Sequence, residues 1–379
     1  MSFVPESGSV LHANNAHKGR IEMLEVNANR SIWKPTIAWR RTCALLLGGL
    51  AAAAFGSVVP TLAQQRIIDL GTLGGLYSTA TAINNAQQIV GSSDVAGVSR
   101  HAFLWQRGQM ISLGTLGGNT SHALGINDFA QVVGYSNRTT GGVPRAVIWH
   151  DGTMTDLGTL GGASSVANAI NNGGLVVGSS ETSIPTQTHA FLWSRQSGMI
   201  DLGTLGGDFS EARGINQRGQ IVGHSLTASG HQHAFLWENG SMIDLGHLGP
   251  NFSVGLGLND RGQAVGMVDI FVEPGTTPFR AFLWDAGEMI VIDTLGNSTT
   301  DAFAINNRGQ IVGQSRLFDE GPFHAFVWEK GGIRDLGTLG GLTDNLSSAA
   351  YAINGRGDAV GYSDTVSGFS HAAFWPAAR

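Results

Sequence analysis

The sequence has almost no cysteine. Its single thiol, Cys43, lies in a short apolar run near the N-terminus. No disulfide can form within one chain, and no site built from several cysteines can hold a metal. Basic residues are also scarce. Lys and Arg total 22 against 28 Asp and Glu, a formal net charge of −6. Nucleic acid and anionic membrane surfaces both call for a basic face, so this balance argues against either as a partner. There is no Gly-x-Ser-x-Gly nucleophile turn. The recurring Gly-Thr-Leu-Gly-Gly lacks the Lys-Ser/Thr and the following helix that a phosphate loop requires. The only extended apolar run, Cys43 to Val59, has about 17 residues, the lower limit for crossing a bilayer.

That run has the layout of an export signal. Arg40 and Arg41 precede it, Pro60 closes it, and Thr61-Leu62-Ala63 offers small residues where a signal peptidase reads. The expected division is a signal region at 1–63 and a mature chain at 64–379. Retained uncleaved, the segment would act as a membrane anchor. The paired arginines also admit a twin-arginine route. Removal of 1–63 leaves 16 basic and 25 acidic residues, a net charge of −9. The mature chain is expected outside the cytoplasm, secreted or periplasmic, as a monomer.

Everything after residue 64 is repeated. The central Leu of Asp-Leu-Gly-Thr-Leu-Gly-Gly recurs at Leu70, Leu113, Leu157, Leu202, Leu245, Ile292 and Leu336, in steps of 43, 44, 45, 43, 47 and 44 residues. A second block, Ile-Asn-Asn-x-Gly-Gln-Ile-Val-Gly, is anchored by Asn84, Asn127, Asn171, Asn216, Asn259, Asn306 and Asn354. A third, His-Ala-Phe-Leu-Trp, ends at Trp105, Trp149, Trp193, Trp237, Trp284, Trp328 and Trp375. Three blocks each count seven. Together they resemble the HAF repeat of predicted extracellular bacterial proteins, over roughly residues 66–375. The resemblance implies an exported repeat protein and supplies no catalytic residue. Arg145 and Arg280 depart from it in place of the motif His, and Val291-Ile292-Asp293 disturbs the fifth boundary.

Each copy reads as four short strands. Asn-Asp-Arg-Gly at 259–262 separates the first pair, with Gly free to adopt positive φ. Asn239-Gly240 is a hairpin signal between the third and fourth. Within His-Ala-Phe-Leu-Trp, Phe and Trp point to one face and Ala and Leu to the other. Both faces are apolar, as a sheet sandwiched between two others requires, and the seven repeat tryptophans are expected to form a ring of contacts between blades. The array starts with a fourth-type strand at Arg66–Leu70 and ends on a third-type strand. Pairing the two would complete the last unit and remove both open edges. The expectation is an all-β, seven-bladed β-propeller with four strands per blade, closed by the N-terminal strand; a β-solenoid or two-sheet stack is the alternative.

The recurring polar residues read as scaffold. His101, His189, His233, His324 and His371 hold equivalent positions, too far apart to converge on one ion. They are expected to donate to backbone or carboxylate. Asp69, Asp156, Asp201, Asp244 and Asp335 are expected to accept. His231, His233 and nearby His224 do not complete a ligand set. No metal, cofactor or catalytic set is expected. The first strand reads as alternating small recurring residues with variable ones, and in a propeller it is innermost. The candidate ligand-binding residues are the variable positions expected to approach the central channel: His122, Asn168, Glu211, Arg213, Asp301 and Tyr351. Two function classes follow. One is a non-catalytic binding or scaffold module for a protein or glycan. The other is a carbohydrate-active propeller enzyme, a glycosidase or lyase, using paired channel carboxylates.

Overall fold

The computed structural model describes residues 66–97, 99–140, 142–271, 278–296, 299–341 and 345–378. The export segment, Cys43 and the cleavage position at Ala63 lie outside them. No helix occurs among the described residues; the secondary structure is 28 short strands.

The strands fall into seven antiparallel sheets of four. Six are continuous in sequence, at 74–112, 121–156, 161–201, 206–244, 253–291 and 300–335. The third and fourth also touch through a single parallel pairing, Thr188 with Phe209. In the seventh, three strands span 348–375 and the fourth comes from the other end of the chain. There Ile68 pairs with Phe374 and Asp69 with Ala373. The expected N-terminal completion of the last sheet is thus observed.

The fourth copy illustrates the local code. Its strands are Gly206–Ile215, Ile221–Thr227, Gln232–Glu238 and Ser241–Asp244. Between the first two, Asn216 Oδ1 accepts from the amides of Arg218 and Gln220, and Gly219 has φ +80°. The first and second copies carry Gln87 and Ala130 at the glycine position, and both are held at φ +59°. Between the third and fourth strands, Asn239 and Gly240 take φ +52° and +82°, the mirror-image turn that suits the strand twist.

Packing follows the two-faced pattern. Each apolar cluster is shared by neighbouring sheets. One joins Val222, Ala234 and Leu236 of the fourth to Ala264 and Phe282 of the fifth. There are seven such clusters, and one of them sets Phe374 and Val360 of the last sheet against Phe103 and Ile89 of the first. The first strands of successive sheets also run side by side, that of the seventh beside that of the first. Small residues allow this approach: a Cβ on Gly257 would lie 2.8 Å from the carbonyl oxygen of Phe303 in the next sheet.

Two expectations need correction. In five copies the fully buried aromatic is Phe, at Phe103, Phe191, Phe235, Phe282 and Phe326, rather than Trp. Only Trp149 and Trp375 are buried; the other five repeat tryptophans pack at cluster margins with part of the indole in solvent. The first strand also does not alternate strictly. Ala212 pairs with Gly223 and Gly214 with Val222, so Arg213 is the extra residue of a bulge. Thr81, Leu124, Asn168, Leu256, Phe303 and Tyr351 occupy the same bulge in the other copies.

Candidate functional site

The recurring polar residues hold the frame together. His189, His233, His324 and His371 each place Nδ1 within 2.8–2.9 Å of a carboxylate oxygen of Asp201, Asp244, Asp335 and Asp69 respectively. Each of these aspartates also accepts from the amide two residues on, as Asp201 does from Gly203 at 2.7 Å. Arg145 reaches Asp156 in the same role. The first-strand serines link sheets: Ser253 Oγ accepts from the amide of Ala234 and donates to the carbonyl of Gly246.

The asparagines have a function that the sequence pattern did not reveal. Each donates from Nδ2 to the backbone carbonyl of its counterpart in the next copy. The chain of bonds runs Asn84, Asn127, Asn171, Asn216, Asn259, Asn306 and Asn354, then back to Asn84, at 3.0–3.2 Å. All seven are buried. The turns they organise surround one cavity of about 260 Å³, to which every copy contributes.

The six candidate residues lie elsewhere and form three groups. Asn168, Glu211 and Arg213 come together. Glu211 Oε1 accepts from Asn168 Nδ2 at 2.9 Å, and its Oε2 lies 3.0 Å from Arg213 and 3.8 Å from His224. Asn168 also donates to the carbonyl of Ala212, so it serves partly as an inter-sheet tie. Burial holds His224 well below the usual histidine range despite the Glu211 carboxylate. Arg213 alone in this group is exposed.

Asp301 and Tyr351 form the second group. Asp301 is buried and accepts from Gln314 at 2.8 Å. Burial raises its carboxyl above the ordinary range. Tyr351 packs between Phe303 and Tyr362, with ring centroids 5.1 and 5.9 Å away. Burial, with Tyr362 and Asp301 adding to it, pushes its phenol to about 12. His122 stands apart, stacked on Tyr135 at 4.8 Å and 16° between planes. Burial and the nearby Arg100 bring its pKa down to about 4.

Sequence reasoning sought the site on the first strand only and so left out the second-strand partner in each group. Tyr135, His224, Gln314 and Tyr362 lie on the second strands, directly opposite His122, Glu211, Asp301 and Ala349. Their signal was available: the residue after Ile-Val-Gly varies between copies as freely as the first-strand positions. Among the described residues no three His, Cys, Asp or Glu side chains are placed to share a metal ion.

No protein-family model matches the chain, and no curated protein matches it. Solved structures do. The β-propeller domain of the Trilobed protease from Pyrococcus furiosus, described as having an open velcro topology, aligns with a TM-score of 0.55 at 12% identity, covering 80% of this chain and 94% of that one. An acylaminoacyl peptidase from Pyrococcus horikoshii gives 0.48 at 12% identity, over 79% and 51% of the two chains. TolB from Acinetobacter baumannii gives 0.43 at 12%, over 82% and 65%. At such identities the first likeness shows the fold alone, a β-propeller.

Proposed function

We propose that this chain is an exported HAF-repeat protein that closes into a seven-bladed propeller and acts as a non-catalytic binding or scaffold module for a protein or glycan. Closure is supported by the count of interfaces. Seven sheets in an open row would share six apolar clusters, and here there are seven. The asparagine bonds likewise return to their start. Export rests on the signal-like layout of residues 40–63.

One observation carries the binding reading. The polar residues that recur are engaged in the scaffold, whereas Asn168, Glu211 and Arg213, which do not recur, meet on adjacent sheets and leave the Arg213 side chain 41% exposed. Function in a repeat fold sits where its copies differ. An enzyme reading would need a free carboxylate pair; Glu211 is held by Arg213 and Asp301 by Gln314.

The test is a glycan array and pull-down with the purified protein, repeated with Arg213→Ala. Glu211 ties two sheets, so Glu211→Gln is the milder change there. Partner capture should weaken in Arg213→Ala while its melting temperature stays within a few degrees of wild type. Undiminished capture by Arg213→Ala would exclude this cluster, and turnover of a captured glycan would favour the enzyme.

A further inference from the structure

A second cavity opens between two neighbouring sheets. It is a groove of about 910 Å³ between the second and third sheets. The equivalent groove between the sixth and seventh sheets holds only about 140 Å³. The repeat makes the two directly comparable, and the difference comes from identifiable residues.

In the narrow groove Arg308 lies over the turn of the next copy, 3.2 Å from where a Cβ on Gly357 would be. Arg218 and Arg261 do the same over Gly262 and Gly309. The second copy has Phe129 at this position, and its ring is 65% exposed instead of covering the groove. Farther out, Arg334 lines the narrow groove and Thr155 the wide one. Four other copies place a half-exposed Ile there: Ile111, Ile200, Ile243 and Ile290.

The third copy departs in the same place. Four copies carry a Gln whose amide reaches an acidic or amide side chain on the third strand, Gln88 to Gln106, Gln220 to Glu238, Gln263 to Asp285 and Gln310 to Glu329. Here Leu175 and Ser194 stand at those two positions, and the clasp is missing. The adjoining hairpin is one residue longer. Ser194 pairs with Gly198, leaving three residues in the turn, whereas Glu238 pairs with Ser241, leaving two. The extra length brings Arg195 and Gln196 to the rim. Departures from both flanking copies therefore converge on one cavity.

We infer that this groove is a binding site for a neutral sugar. The inference rests on the binding-module reading but assigns a different site from the Arg213 cluster. The floor is apolar, formed by Ile148, Leu175 and the half-buried indole of Trp193. An indole face carries partial negative charge and suits the C–H face of a pyranose. The rim is mostly uncharged donors and acceptors, among them Gln131, Thr153 and Ser194; such groups match hydroxyls. Charges do not favour an ionic ligand: Arg195 is offset by Asp151, which sits 3.6 Å from His150. A concave site with an apolar floor, a few polar groups and this volume is the usual form of a small-ligand pocket.

The test restores the majority residues of the repeat. Phe129→Arg with Thr155→Ile should fill the groove without disturbing the core; Thr155→Ile alone serves if the pair lowers the melting temperature. Calorimetry and saturation-transfer NMR would be run with methyl glycosides of glucose, galactose, mannose, fucose and N-acetylglucosamine, and with two neutral disaccharides. At least one should bind wild type and lose about tenfold or more in affinity in the filled variant. No binding by any of these sugars overturns the inference. So does binding unaffected by filling. If that binding is lost in Arg213→Ala, the groove is wrong while the binding-module reading survives.

Discussion

Asn354 Nδ2 lies 3.2 Å from the backbone carbonyl oxygen of Asn84, a residue 270 positions earlier in the chain. The same bond links every pair of consecutive copies, so the end of the array meets its beginning as any copy meets the next. Asn354 is also buried as deeply as its counterparts. A terminal copy in an open row would have no neighbour to receive its amide.

Asn354→Ala therefore offers a direct measure of closure. The side chain makes four hydrogen bonds, to Asn84, Arg356 and Asp358, and buried partners left unsatisfied each cost about 1–3 kcal/mol. Chemical denaturation should show a loss similar to that of Asn216→Ala at the middle of the array. A much smaller loss at 354 than at 216 would mean the ring is open.

The N-terminal strand should matter far more than its length suggests. A chain starting at Gly74 loses the pairing at 68–69, the Asp69–His371 contact and buried Leu70. Burial of one Leu alone contributes roughly 1.5–3 kcal/mol. Compared with a chain starting at Gln64, it should melt at lower temperature and self-associate through the bared edge at 370–375. Identical melting curves for the two chains would refute the closing role of this strand.

Phe235→Ala should destabilise more than Trp237→Ala, although Trp is the larger side chain. Phe235 is completely buried, and its removal leaves a cavity costing about 3–5 kcal/mol. Trp237 already shows part of its surface to water. Equal losses in urea titrations would return the indole to the principal inter-sheet role.

His122 should make the protein less stable in mild acid. Its folded pKa is about 4, below the ordinary 6.5 of the unfolded chain. The folded state thus resists protonation. Its contribution is intact above pH 6.5 and is lost as pH falls from there through 4. Over that span the cost is about 3 kcal/mol. His122→Phe keeps the stack on Tyr135 and cannot titrate. The wild-type curve should fall away from the variant's between pH 6.5 and 4; parallel curves would show that His122 is freely protonated in the fold.

The strands, the turns and the His–Asp contacts were legible because each depends on residues close in sequence or recurring in fixed positions. Asn239-Gly240 specifies its turn alone, and the step of 43–47 residues fixes the copy count. What escaped depends on how copies meet. Ser-x-Ala-x-Ala-Ile alternates faultlessly on paper, and nothing local says that Arg213 or Tyr351 is an extra bulged residue. Phe235 and Trp237 share a face, and only the packing of one sheet against the next decides which is sealed. The groove beside Trp193 needs four substitutions and one longer hairpin from two copies to occur together, a coincidence visible only when those copies are set side by side.

Ile68 and Phe374 are partners separated by 306 residues. A ribosome adding roughly 5–20 residues per second takes about 15–60 s to bring the second into existence after the first. For that interval the earliest strand of the array has nothing to pair with, while six sheets can already form and stack behind it. The final docking joins the oldest part of the polypeptide to the newest, so any chain cut short before its last copy keeps an unfilled position at its front.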